Sequence, residues 1–231
     1  SNYMFEYYHD RVSDNEFFSS PEPSDKDLVF MAQSIGIQLK IGSPILRVLK
    51  VTNVISPNKK IRKILEDTIR DMESGENISI SLIDNLQELD KQIIAGIGPK
   101  HDRLENLPEL GNIFQDYAKM KIKNPNYISS EIIGRSIELL SFTNQMSNSL
   151  SNGKSVLESL RDSIVTTNEE FKNITETLQE LYLRKGNLTN LIYPKFEKHF
   201  DWLYVNIIDC GENRENSYKG LTEAFNLLAM S

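Results

Sequence analysis

Few residues in this chain have the types and spacing that chemistry requires. Cys210 stands beside Gly211 and Glu212, and such a thiol could act as a nucleophile if His199 or His101 served as its base. A catalytic thiol needs an oriented base and an electropositive setting. Cys210 instead ends an apolar stripe of Trp202, Val205 and Ile208, so it reads as a core or half-buried thiol. His199 and Asp201 do not have the i, i+4 spacing that puts two metal ligands on one helical face, and His9 and Asp10 fall in a segment without helical period. These four read as surface polar residues. No G-x-x-x-x-G-K-[ST] phosphate loop occurs, so the chain is not expected to hydrolyse nucleotide. A single cysteine allows neither an intrachain disulfide nor a cysteine-based zinc site, and fits a reducing, cytoplasmic setting. The expectation is a non-enzymatic chain with no catalytic residue, metal or cofactor.

Charge is more informative. Lys59, Lys60, Arg62 and Lys63 open a helical pattern at the end where the macrodipole favours acids, whereas the matching place later in the chain holds Glu169 and Glu170. One reading is a solvated face that costs a few tenths of a kcal/mol per charge and does nothing else. The other makes these six residues partner-binding, with the basic set meeting anionic lipid headgroups or an acidic partner and the acidic set facing something else.

The elements that carry these residues follow from length and pattern. A chain of 231 residues, 39% hydrophobic and 26% charged, has an ordinary globular composition and folds as one large domain or as two of roughly a hundred residues. A net charge of -7 argues against a general nucleic-acid binder, and no apolar run approaches the length of a membrane span. No signal segment opens the chain, and Ser1-Asn2 reads as a cloning scar. Residues 1–24 mix the aromatics Phe5, Tyr7, Tyr8, Phe17 and Phe18 with acids, and are expected to form an arm.

From Asp25 the pattern is helical. Ser24 or Asp25 caps a helix with Leu28, Met31, Ala32, Ile35 and Leu39 on one face, and Gly42 ends it. Pro44 suits the first turn of the next helix, which carries Ile45, Leu46 and Leu49. Ile61, Ile64, Leu65, Thr68, Ile69 and Met72 line a third helix that closes at Gly75. Two further helical stretches are expected around Ser79 to Ile97 and Leu104 to Ile122, separated by the breaker GIGPK.

The order then repeats. Leu139, Leu140, Phe142, Thr143, Met146 and Leu150 lead to Gly153; Val156, Leu157 and Leu160 follow; Phe171, Ile174, Leu178, Leu181 and Tyr182 lead to Gly186. Gly42 pairs with Gly153 and Gly75 with Gly186 at an offset of 111, while Asn58 and Ile61 pair with Asn168 and Phe171 at 110. Two diverged copies of one helical unit account for this order, with one small insertion or deletion in each flanking loop. The expected fold is all-α: two repeated antiparallel helical-bundle domains of about six helices each. The domains span residues 25–121 and 131–231, and residues 122–130, with Pro125, form a connection.

At this level the chain resembles the inner-membrane platform proteins of type IV pilus assembly and type II secretion, whose polytopic chains carry two related cytoplasmic helical domains. The first copy supplies Leu39, Gly42, Ile45, Leu46 and Leu49, then Gly75, Ile78, Ser79 and Leu82. The second supplies Gly153, Val156, Leu157 and Leu160, then Gly186, Leu188, Thr189 and Leu191, then Pro194, Phe196, Gly211 and Glu212. The family's later glycine is missing after Gly211-Glu212, where Asn213, Arg214 and Glu215 stand, and the first copy has only Gly96-Ile97-Gly98 there. These departures point to a divergent branch such as the bundle-forming or toxin-coregulated pilus type.

The resemblance implies a non-catalytic scaffold of the bacterial inner membrane with these domains on the cytoplasmic side. It implies membrane segments missing from between and after the domains, with a join near Lys121 to Ser130. The implied partners are the assembly ATPase, accessory inner-membrane proteins of the pilus, pilin and further copies of the chain, and not nucleic acid. Gly42, Gly75, Gly153, Gly186 and Gly211 would be structural turns. The rival expectation, from a different class, is a soluble helical adaptor or signalling module without membrane segments.

Overall fold

The computed structural model describes residues 22–97, 107–122 and 134–230, and all the regular structure among them is helical. Most of the expected arm, nearly all of the connection, and His9, Asp10, Gly98 and His101 lie outside the described residues. The chain divides into two compact units, Ser1–Tyr127 and Ile128–Ser231. The first holds α1 (Asp25–Lys40), α2 (Ile45–Ile55), α3 (Lys59–Glu73), α4 (Ile78–Leu86), α5 (Lys91–Ile97) and α6 (Leu107–Lys121). The second holds α7 (Ile137–Ser151), α8 (Val156–Asp162), α9 (Glu169–Lys185), α10 (Leu188–Ile192), α11 (Trp202–Glu212) and α12 (Ser217–Met230).

In the first unit α1 starts at a capping box. Asp27 N–H donates to Ser24 Oγ at 3.2 Å and Ser24 N–H donates back to Asp27 Oδ2 at 2.9 Å, which satisfies two otherwise orphaned donors. Its expected face, Leu28, Met31, Ala32, Ile35 and Leu39, is buried, but so are Val29, Gly36 and Ile37. The extra burial arises because α1 lies between α2 and α6. Helices α1 and α6 run antiparallel and touch at Gly36 and Gly111, where a Cβ on either would lie about 3.0 Å or less from the other's carbonyl oxygen. Any side chain there would force the helices apart.

Helix α1 ends in a Schellman turn on Gly42, at φ 88°, with Gly42 N–H donating to Leu39 O at 3.1 Å and Ser43 N–H to Gln38 O at 3.0 Å. Pro44 then stands at the N-cap of α2. Asn58 caps α3 by accepting Ile61 N–H at 3.0 Å, and Gly75, at φ 96°, closes it with the same paired bonds. The stretch expected to run from Ser79 to Ile97 is instead two helices. Leu86 O accepts the N–H groups of both Leu89 and Asp90, and Asp90 Oδ1 accepts Gln92 N–H at 2.9 Å, so the carboxylate starts α5 afresh.

In the second unit α7 buries Leu139, Phe142, Thr143, Met146 and Leu150 and ends on Gly153, at φ 82°, in the same Schellman turn as α1. Asn168 caps α9 through Phe171 N–H at 2.9 Å. Gly186, at φ 64°, is itself the C-cap, because α9 runs to the residue before it whereas α3 stops two residues short of Gly75. The core is aromatic, with Phe142 edge-on to Phe200 at 6.0 Å and to Phe225 at 6.2 Å between ring centroids.

Gly211 is not a turn residue. It lies inside the last turn of α11, buried against Gly220 of α12, where a Cβ would meet Gly220 O at 2.4 Å. Helix α11 is covered from Trp202 to Asp209, and that burial requires α12 to close on it without an intervening side chain. The turn into α12 comes afterwards, at residues 213–216. In the first unit Gly96 of α5 is used in a related way, since a Cβ there would sit 2.7 Å from Ile113 Cγ2 of α6.

Candidate interaction surfaces

Among the described residues, Cys210, His199 and Asp201 each serve a different part of the fold. Cys210 is half-buried on α11, eight residues beyond Trp202 and therefore roughly 12 Å along the axis from the end nearest His199. His199 turns to α9, its Nε2 3.1 Å from Glu170 Oε1 and its ring edge-on to Phe171 at 6.1 Å. Asp201 caps α11 by accepting Tyr204 N–H at 2.8 Å. The same carboxylate takes the Arg135 Nε–H at 2.8 Å, and the guanidinium lies over the Tyr204 ring at 5.4 Å. Burial pushes the Tyr204 hydroxyl pKa up, and Thr143 Oγ1 is 2.7 Å from the hydroxyl oxygen. No group of three or more His, Cys, Asp or Glu side chains able to hold a metal occurs among the described residues.

The two charged turns share one cap and differ in sign. Asn58 begins α3 and Asn168 begins α9 through the same side-chain bond to the third helical residue. After the first cap Lys59 and Lys63 are exposed and Lys60 Nζ is 3.0 Å from Glu22, just before the cap of α1. After the second, Glu169 and Glu170 are exposed and favourably placed on the helix dipole. Glu170 also lines an open groove of about 420 Å³ between α9 and the Pro194–His199 segment, together with Ile174, Thr177, Lys195 and Phe196.

Three side chains that matter had no local signal in the sequence. Arg135 meets Asp201 across 66 residues. Asp90 gathers Lys121 Nζ at 2.8 Å, the Tyr117 hydroxyl at 2.8 Å and its own Gln92 N–H, with Asp25 3.9 Å from the same ammonium. Burial alone would raise the Asp90 carboxyl pKa, but these hydrogen bonds hold it below the ordinary carboxylate range. Burial and the Asp90 contact push the Tyr117 hydroxyl far above its usual value. Glu212, visible in the sequence only as half of Gly-Glu, accepts Leu188 N–H at 2.7 Å, Thr189 N–H at 2.9 Å and the Thr189 hydroxyl at 2.8 Å. It thereby closes the N-terminus of α10.

Among the described residues no helix is long and apolar enough to cross a membrane. Comparison of the chain with family models, curated proteins and solved structures returns no match.

Proposed function

We propose that this chain is a non-catalytic scaffold: the paired cytoplasmic domains of a bacterial inner-membrane platform of the type IV pilus or type II secretion class. The observation that carries the reading is the Glu212 carboxylate on Thr189. The resemblance rests on the order of many short patterns, and two of them, aliphatic-Thr after Gly186 and Gly-Glu at Gly211, lie more than twenty residues apart. Their meeting at one helix end gives both a shared physical reason. In this reading the two units are duplicates. Each has six helices among the described residues, each opens with a long helix ending in a Schellman glycine, and each starts its third helix at a capping asparagine.

The mechanism is mechanical. Short capped turns and a close α1–α6 or α11–α12 contact make each unit a stiff body able to pass movement from an assembly ATPase toward the site where pilin leaves the membrane. The surfaces where the units differ then meet different partners: the basic turn of α3 an anionic lipid surface or an acidic partner, and the acidic turn of α9 something else among the ATPase, accessory inner-membrane proteins, pilin and other copies.

The experiment is retention of the purified assembly ATPase by the whole chain immobilised on resin, read together with the complete open reading frame. Saturable retention, and a hydrophobic segment of membrane-spanning length between the units or beyond Ser231, support the proposal. No retention, with no such segment in the reading frame, sinks it in favour of a soluble adaptor.

A further inference from the structure

We infer that one pole of the first unit, built from the starts of α1 and α3 and the end of α6, rests on an anionic lipid surface. The inference deepens the platform reading and rests on it for the presence of a bilayer near this unit. Two contacts define the pole. Lys60 Nζ lies 3.0 Å from Glu22, next to the start of α1, and Lys121 Nζ lies 3.9 Å from Asp25, so α6 ends where α1 begins.

Cations dominate what this pole presents. Lys59, Arg62 and Lys63 occupy i, i+3 and i+4 positions on α3 and share one face, with Lys60 beside them. Like charges so spaced destabilise an isolated helix, and at a helix start they also oppose the macrodipole. Glu66 and Asp67 stand four residues after Arg62 and Lys63 and offset part of that repulsion, but the four cations still oppose the macrodipole at this helix start, which an anionic surface relieves. Of the acids at the pole, Glu22 and Asp25 are each within ion-pair distance of a lysine, and Asp27 is held in the capping box by Ser24.

A second observation favours lipid over an acidic protein. In the last turn of α6 Met120 is 54% exposed between Lys119, which is exposed, and Lys121, which turns inward to Asp90. An exposed apolar side chain flanked by lysines is the pattern of a segment that dips into the headgroup region while its cations meet phosphates. The chain as a whole carries -7, so binding to an anionic surface requires this pole to face it.

The test is co-sedimentation of the whole chain with vesicles of phosphatidylglycerol and phosphatidylethanolamine, against vesicles of phosphatidylcholine alone. Binding is expected to the anionic vesicles only, and to fall away in 1 M salt, where the Debye length drops to about 3 Å. Arg62→Gln with Lys63→Gln, which leaves the Asn58 cap intact, is expected to lower the partition coefficient roughly fivefold per cation removed. Met120→Trp, in the otherwise native chain, should show a blue-shifted emission on binding. Circular dichroism of each variant checks that the helices remain. Absent binding to anionic vesicles at low salt, equal binding to neutral ones, or an unchanged partition coefficient in the double variant would each overturn the inference. ATPase retention tests the platform reading separately, because it needs no lipid.

Discussion

Arg135 and Asp201 form an ion pair at 2.8 Å that joins the segment before α7 to the start of α11. The Arg135 side chain is 1% exposed, and the carboxylate that neutralises it also caps α11. Removing the acid therefore takes the carboxylate from a buried cation and uncaps a helix at once. Asp201→Ala is expected to cost about 3 kcal/mol. Asp201→Asn keeps a capping oxygen and should recover roughly 1 kcal/mol of that loss. Urea unfolding of the three proteins measures both; an alanine variant as stable as the native chain would show that the pair contributes nothing.

What the sequence made legible was periodic or local. The apolar faces of α1, α3, α7 and α9, the cap at Ser24, and the glycines that close helices at 42, 75, 153 and 186 are encoded within a few residues of where they act. The break between α4 and α5 escaped because Asp90 sits in a stretch whose apolar spacing carries on across it. Arg135, Asp90 and the role of Glu212 escaped because their partners lie 66, 27 and 23 or more residues away, beyond any helical period. Gly211 was misread because a glycine that admits a neighbouring helix looks, in one sequence, the same as one that ends its own.

That distinction is measurable. Gly153 has φ 82° and open space where a Cβ would go, so Gly153→Ala should cost about 1 kcal/mol through backbone conformation alone. Gly211→Ala meets Gly220 O at 2.4 Å and Ala224 Cβ at 2.9 Å, and should cost more, about 3 kcal/mol, through overpacking. Thermal or urea unfolding of the two variants gives the order. The opposite order would restore Gly211 as a turn residue.

Acid should weaken the first unit through Asp90. Its carboxyl pKa is lowered in the folded chain, so the Asp90 contacts stabilise fully above the unfolded carboxylate pKa of about 3.9 and are lost as pH falls through the folded value. Asp90→Asn removes that dependence. The native chain should be the more stable at pH 7, and the gap should narrow toward pH 3 in unfolding curves taken across that range. A gap that is constant or widens on acidification would contradict the assignment.

Glu212 and Thr189 provide the sharpest test of why two distant patterns belong together. The first amides of helix α10, like those of any helix, have no acceptor within it; Asn187 takes that of Asn190, and Glu212 takes two more as well as the Thr189 hydroxyl. Glu212→Ala should cost about 2 kcal/mol by leaving these donors without their acceptor. Thr189→Val removes only the hydroxyl bond, and the double variant should show a coupling of about 1 kcal/mol in a cycle with Glu212→Ala. Amide exchange localises the effect: in Glu212→Ala the Leu188 and Thr189 amides should lose protection while those of α1 in the other unit do not. Additive losses, or unchanged protection at these two amides, would mean that α10 is held by its Asn187 cap and its buried Leu188, Leu191 and Ile192 without the carboxylate, and the physical link between the two patterns would fall with it.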